Sequence, residues 1–180
     1  MVRQVILITG PSRSGKSEWA EFLANHKQKE VTYVATGYLD LSDLEWRARI
    51  EKHKKRRPSH WKIKEEMYNL TSLISQYTDS HCLLIDSLGT WTANLLEENE
   101  DSWQNISKNF TQTIQNSTID IILVAEETGW GLVPDYPIGR LFRDRLGALI
   151  REVSSCADIV YLVTGGYVLN LSELGIKLVT

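Results

Sequence analysis

Five short apolar runs punctuate the chain, and longer segments of helical spacing lie between them. Arg3–Thr9 reads R-Q-V-I-L-I-T, and Val31–Ala35 is a second β-branched run. Cys82–Ile85, Ile119–Val124 and Ile159–Val163 are three more of strand length, each too short for an ordinary helix. Gly15–Lys27 carries Trp19, Phe22 and Leu23 at helical spacing; Tyr68–Gln76, Leu88–Glu97, Ser102–Gln115 and Gly139–Ser155 also read as helices. Ser42 can cap a helix starting at Asp43, with Glu45 completing a capping-box pattern. Pro58 ends that helix by pushing Arg57 out of the α region. Strands alternating with helices predict βαβ units and a mostly parallel sheet covered on both faces. Val168–Val179 holds short β-like pieces that can add edge strands. No repeat or Gly/Ser linker divides the chain, so residues 1–180 read as one domain with about six strands.

Composition narrows the class. The 180 residues are 42% hydrophobic and 24% charged, which suits a folded globular protein rather than a disordered one. Twenty Lys+Arg against 23 Asp+Glu leave a net charge of −3, so no nucleic acid or membrane partner is expected. The longest apolar runs fall far short of the roughly 20 residues a membrane span needs. Met1–Gly10 lacks the apolar stretch and cleavage site of an export signal. Cys82 and Cys156 are too few for a disulfide framework, and Cys82 reads as a buried thiol. A cytoplasmic enzyme or binding domain is the expectation.

The most specific motif is Gly10-Pro11-Ser12-Arg13-Ser14-Gly15-Lys16-Ser17, a full G-x-x-x-x-G-K-[ST] between an expected strand and an expected helix. In such a loop the glycines let consecutive N–H groups point at phosphate oxygens, and the helix N-terminus adds partial positive charge. Lys16 is then placed for the terminal phosphates and the Ser17 hydroxyl for Mg²⁺. The motif predicts an α/β, P-loop NTPase-like (RecA-like) domain whose site lies at the carboxyl ends of the strands. Such a site needs a carboxylate at the end of a neighbouring strand. Asp86, after Cys82-Leu83-Leu84-Ile85, fits as the second Mg²⁺ residue; Glu126 and Glu127 are the rivals.

A second cluster lies in Asp43–Pro58, D-L-E-W-R-A-R-I-E-K-H-K-K-R-R-P. Arg49, His53 and Arg57 fall at i, i+4 and i+8, along one side of a helix. Flanking cations favour neutral imidazole, whose free ring nitrogen can attack phosphorus. From the residues alone, a solvated basic face or a partner-binding tract competes with this catalytic reading.

With these residues in view, the sequence resembles the bifunctional adenosylcobinamide kinase / adenosylcobinamide-phosphate guanylyltransferase family of cobalamin biosynthesis. The resemblance rests on Arg13–Ser17, on Tyr33-Val34-Ala35-Thr36, and on the block Arg49-Ile50-x-x-His53-x-x-x-Arg57-Pro58-x-x-Trp61. It continues through Asp86 with Asn94-Leu95-Leu96, Glu127-Thr128-Gly129-Trp130-Gly131-Leu132-Val133-Pro134, and Phe142-Arg143-Asp144-x-x-Gly147. The family's further R-x-N-Q after that segment is absent: Ala148-Leu149-Ile150-Arg151 stand there.

The resemblance implies phosphorylation of adenosylcobinamide by a nucleoside triphosphate, ATP or GTP. It then implies transfer of GMP from GTP to adenosylcobinamide phosphate through a guanylyl-histidine at His53. It also implies nucleotide contacts at Gly10–Ser17, Ala35, Thr36, Gly37, Lys54, Lys55, Arg56, Arg57, Glu65 and Asp86, and a homotrimer. Two other readings stay open: a P-loop kinase of another small molecule, and a nucleotide-binding regulatory module with residues 52–57 as its partner surface.

Overall fold

The computed structural model describes residues 3–37 and 56–178. The described elements are β1 (Val5–Gly10), α1 (Lys16–Asn25), β2 (Glu30–Ala35), β3 (Lys62–Glu65), α2 (Leu70–Ile74), β4 (His81–Asp86) and α3 (Leu88–Asn94). They continue as α4 (Glu100–Asn116), β5 (Asp120–Glu126), α5 (Pro137–Cys156), β6 (Ile159–Thr164), β7 (Tyr167–Asn170) and α6 (Leu171–Leu174). The helix expected from Asp43 to Pro58 lies outside the described residues, apart from Arg56, Arg57 and Pro58.

The strands form one sheet in the order β3-β2-β4-β5-β1-β6-β7. Every neighbouring pair is parallel except β6–β7. The apolar runs are continuous because these strands are covered on both faces, and alternate residues divide between two cores. Val5, Leu7, Leu83, Ile85, Ile121 and Leu123 pack with Trp91, Phe110, Leu146 and Leu149 of α3, α4 and α5. Ile6, Ile8, Leu84, Ile122 and Val124 pack with Ala20 and Ala24 of α1 and with Trp61. Side-chain caps set several helix starts: Asn69, Ser87 and Asn99 each accept a hydrogen bond from the third backbone N–H beyond them.

Two expectations are refined. Against about six expected strands, seven lie among the described residues, because β3 was not foreseen. Its sequence, Lys-Ile-Lys-Glu, offers one apolar side chain, and all four residues are exposed at the sheet edge. Charge on an edge strand blocks pairing with other chains but erases the alternation that marks a strand. The tail adds one edge strand, antiparallel β7, and then turns into the short α6.

Candidate active site

Six parallel strands end at one rim, and the last residues of five of them are Gly10, Ala35, Glu65, Asp86 and Glu126. In register, Ala35 lies between Glu65 and Asp86, and Gly10 lies beside Glu126. The rim therefore gathers residues that the sequence scatters over more than a hundred positions.

The 10–17 loop leaves β1 through Gly10 at φ 151°. A β-carbon there would lie 2.1 Å from the Val163 carbonyl oxygen of β6, so only glycine fits. Arg13 and Gly15 also take positive φ, 58° and 103°, and Gly15 is the N-cap of α1. Such alternation turns successive N–H groups into a concave anion-binding nest. Lys16 is buried, and its Nζ donates to the Pro11 carbonyl at 2.8 Å, folding the ammonium over its own loop. Ser17 follows in the first turn of α1, partly exposed.

Asp86 sits at the end of β4, partly exposed, and accepts a hydrogen bond from the Tyr33 hydroxyl on Oδ2 at 3.1 Å. Glu126, its rival, is differently placed. Its Oε1 accepts from the Ser87 hydroxyl at 2.6 Å and its Oε2 from the Gly89 backbone N–H at 3.0 Å. Burial pushes its carboxyl above the usual range; the Asp86 charge adds to this, while the Ser87 hydrogen bond opposes it. Both Glu126 oxygens thus serve to fasten the start of α3. Glu127 binds the loop strand, accepting from the Thr9 hydroxyl at 2.8 Å, while its N–H donates to the Gly10 carbonyl.

Mg²⁺ takes few protein ligands, usually one or two carboxylates or hydroxyls together with substrate phosphates and water. Asp86, with Oδ1 outside its bond to Tyr33, and the Ser17 hydroxyl are oxygen donors of that kind, so the residues present fit the ion. Among the described residues no three His, Cys, Asp or Glu cluster as a dedicated cage.

Thr36 is buried and ties two strand ends together: its hydroxyl donates to the Ser87 carbonyl and accepts from the Ser87 N–H. Asn94 of α3 donates to the Thr36 carbonyl at 2.7 Å, so the Ala35-Thr36-Gly37 turn is held from below. Ser12 and Arg13 are exposed, while Pro11, Ser14 and Gly37 are partly so.

His53, Lys54 and Lys55 lie outside the described residues; Arg56 and Arg57 do not. The Arg56 guanidinium pairs with Glu21 and Glu18 on one side of α1. These carboxylates hold it charged, Glu21 contributing the larger part. Arg57 lies over the Tyr33 ring, its Cζ 3.3 Å from the ring centroid, with Nε 3.8 Å from Glu21. Burial raises the Tyr33 phenol far above its ordinary value, and the nearby Asp86 charge adds to the effect. Sequence reading missed Glu21 as a partner of the basic segment and Tyr33 as a link to Asp86. The Y-V-A-T motif was the available signal for Tyr33.

Comparisons with known proteins agree with this geometry. The sheet and helices superpose on EscN, the ATPase of the type III secretion system of enteropathogenic E. coli, with a TM-score of 0.61 at 13% identity. That match covers 96% of this chain and 44% of the other, and it identifies the α/β P-loop fold. At the sequence level the chain is 33% identical to the bifunctional adenosylcobalamin biosynthesis protein CobU of Escherichia coli K12, over 90% of this chain and 96% of that one. It is 35% identical to the bifunctional adenosylcobalamin biosynthesis protein CobP of Pseudomonas aeruginosa PAO1, over 88% and 92%. The family model for cobinamide kinase / cobinamide phosphate guanyltransferase matches residues 6–171, and the chain belongs to that family of transferases.

Proposed function

We propose that this chain phosphorylates adenosylcobinamide and then converts the phosphate to adenosylcobinamide-GDP, as the loop at the strand rim and the family membership together support. The observation that carries the reading is the joining of the 10–17 loop, Asp86 and the Arg56–Arg57 segment at one end of the sheet through Tyr33 and α1.

In the first step the substrate hydroxyl oxygen attacks the γ-phosphorus of ATP or GTP, the bond from that phosphorus to the β–γ bridging oxygen breaks, the nucleoside diphosphate leaves, and the hydroxyl proton passes to solvent. The backbone of Gly10–Ser17 holds the phosphates, and Lys16 exchanges its bond to Pro11 for the terminal oxygens. Ser17 and Asp86 would hold Mg²⁺, which supplies charge neutralisation between phosphate oxygens when bound. Nucleotide contacts extend to Ala35, Thr36, Gly37, Lys54, Lys55, Arg56, Arg57 and Glu65.

In the second step a ring nitrogen of His53 attacks the α-phosphorus of GTP, forming a P–N bond and releasing pyrophosphate. The phosphate of adenosylcobinamide phosphate then displaces the histidine, forming the new P–O–P link. Arg57, partly buried, lowers the cost of charge on the α-phosphate.

Exposed Tyr167, Leu174 and Ile176 near the end of the chain support self-association, with a homotrimer as the expected form. The proposed site of action is the cytoplasm, on the strength of the nucleotide-dependent biosynthetic family. Among the described residues no helix is long and apolar enough to cross a membrane. Incubation with adenosylcobinamide, GTP and Mg²⁺ tests the reading. Adenosylcobinamide-GDP and pyrophosphate are expected. Phosphorylation of other small molecules, with cobinamide untouched, would instead identify a different kinase.

A further inference from the structure

We infer that Tyr33 is a positioning residue for the metal-binding carboxylate, fixing Asp86 through its hydroxyl while Arg57 fixes Tyr33 through its ring. The inference rests on the reading of Asp86 as a Mg²⁺ residue. Tyr33 is two residues from the end of β2, where Ala35 pairs with Asp86 of β4. Diagonal neighbours on one face of adjacent strands are within reach of a long side chain, and the phenol spans that diagonal to Oδ2 at 3.1 Å.

Two further observations make this more than a core contact. The ring is buried, 4% exposed, so its hydroxyl cannot trade Asp86 for bulk water. The ring itself carries the Arg57 guanidinium, Cζ 3.3 Å from its centroid, and Arg57 lies beside Glu21 of α1. The helix that begins with Lys16 and Ser17 is therefore linked, through Glu21, Arg57 and Tyr33, to the carboxylate opposite them. One Asp86 oxygen is spent on orientation, and the other would be the one to meet the ion. Partners of metal ligands generally matter for this reason: they fix the ligand before the metal arrives.

The test is Tyr33→Phe, which removes the hydroxyl and keeps the ring under Arg57. Mn²⁺ binding in the presence of GDP, followed by electron paramagnetic resonance, should weaken roughly tenfold. GTP binding in EDTA should stay within about twofold of the parent, since the phosphate nest is untouched. In phosphoryl transfer, the half-saturating Mg²⁺ concentration should rise while kcat at saturating Mg²⁺ recovers. Tyr33→Leu, which also removes the ring from Arg57, should weaken Mn²⁺ binding further. Unchanged Mn²⁺ affinity in Tyr33→Phe would overturn the inference. So would an equal loss of metal-free GTP binding, which would mean a general collapse of the pocket. A parent protein that bound no Mn²⁺·GDP would instead contradict the proposed function, and the inference with it.

Discussion

Gly89 stands where α3 begins, and a β-carbon there would sit 2.0 Å from Oε2 and 2.8 Å from Cδ of Glu126. Gly89→Ala must therefore expel the carboxylate from its seat. Two hydrogen bonds to a charged acceptor go with it, from the Ser87 hydroxyl and the Gly89 N–H, each worth about 1.5–3 kcal/mol. The expelled carboxylate regains some water, and alanine is better than glycine in a helix by roughly 0.5–1 kcal/mol. A net loss of about 2 kcal/mol follows. In a Glu126→Ala background the obstruction is gone, and the same Gly89→Ala change should be neutral or stabilising by roughly 0.5–1 kcal/mol. The sign reversal is the distinctive expectation, with a coupling of about 3 kcal/mol between the two sites. Urea unfolding of the four proteins, followed by tryptophan fluorescence, measures it. Equal effects of Gly89→Ala in both backgrounds, within about 0.5 kcal/mol, would refute the reasoning.

Other expectations follow from the same geometry. Lys16→Ala should lower phosphoryl and guanylyl transfer by roughly a hundredfold or more while circular dichroism stays unchanged, because one cation serves the triphosphate of both steps. Cys82 is fully buried and burial pushes its thiol up to about 12, so a thiol reagent at neutral pH should modify it only after unfolding. The half-buried Cys156 should react first. Because the folded pKa of Cys82 lies above its unfolded value, its contribution to stability is complete below about 9 and fades as pH rises toward 12. A Cys82→Ala protein, assayed by thermal melting, should show a shallower alkaline decline.

Much of the sheet is legible because its signals are local. The glycines and lysine of residues 10–17 follow an apolar run directly, and loop chemistry of that kind depends on a few consecutive residues. The runs at Val31, Cys82, Ile119 and Ile159 became β2, β4, β5 and β6, with ends moved by one or two residues. What was hidden depends on partners far away in sequence. Arg56 meets Glu21 across 35 positions, and Tyr33 meets Asp86 across 53, so no spacing rule points to either. Glu126 and Asp86 both look like strand-end acids. Only the adjacency of β4 and β5 shows that Glu126 spends its oxygens on Ser87 and Gly89. β3 stayed hidden because solvent, not a core, faces its side chains. The Arg49–His53 face proposed from helical spacing lies outside the described residues.

The central claim is that one chain both binds the triphosphate in its loop and carries GMP on His53. The direct measurement is to incubate the protein with α-labelled GTP and Mg²⁺, denature it, and follow the label through base and mild acid. A phosphoramidate should survive base and break in acid, unlike a phosphoserine-type ester. Label should therefore remain on the parent protein at high pH, leave it in acid, and be absent from His53→Asn, which keeps polarity while removing the nucleophile. Acid-labile GMP on the His53→Asn protein would contradict the account and move the nucleophile to another residue.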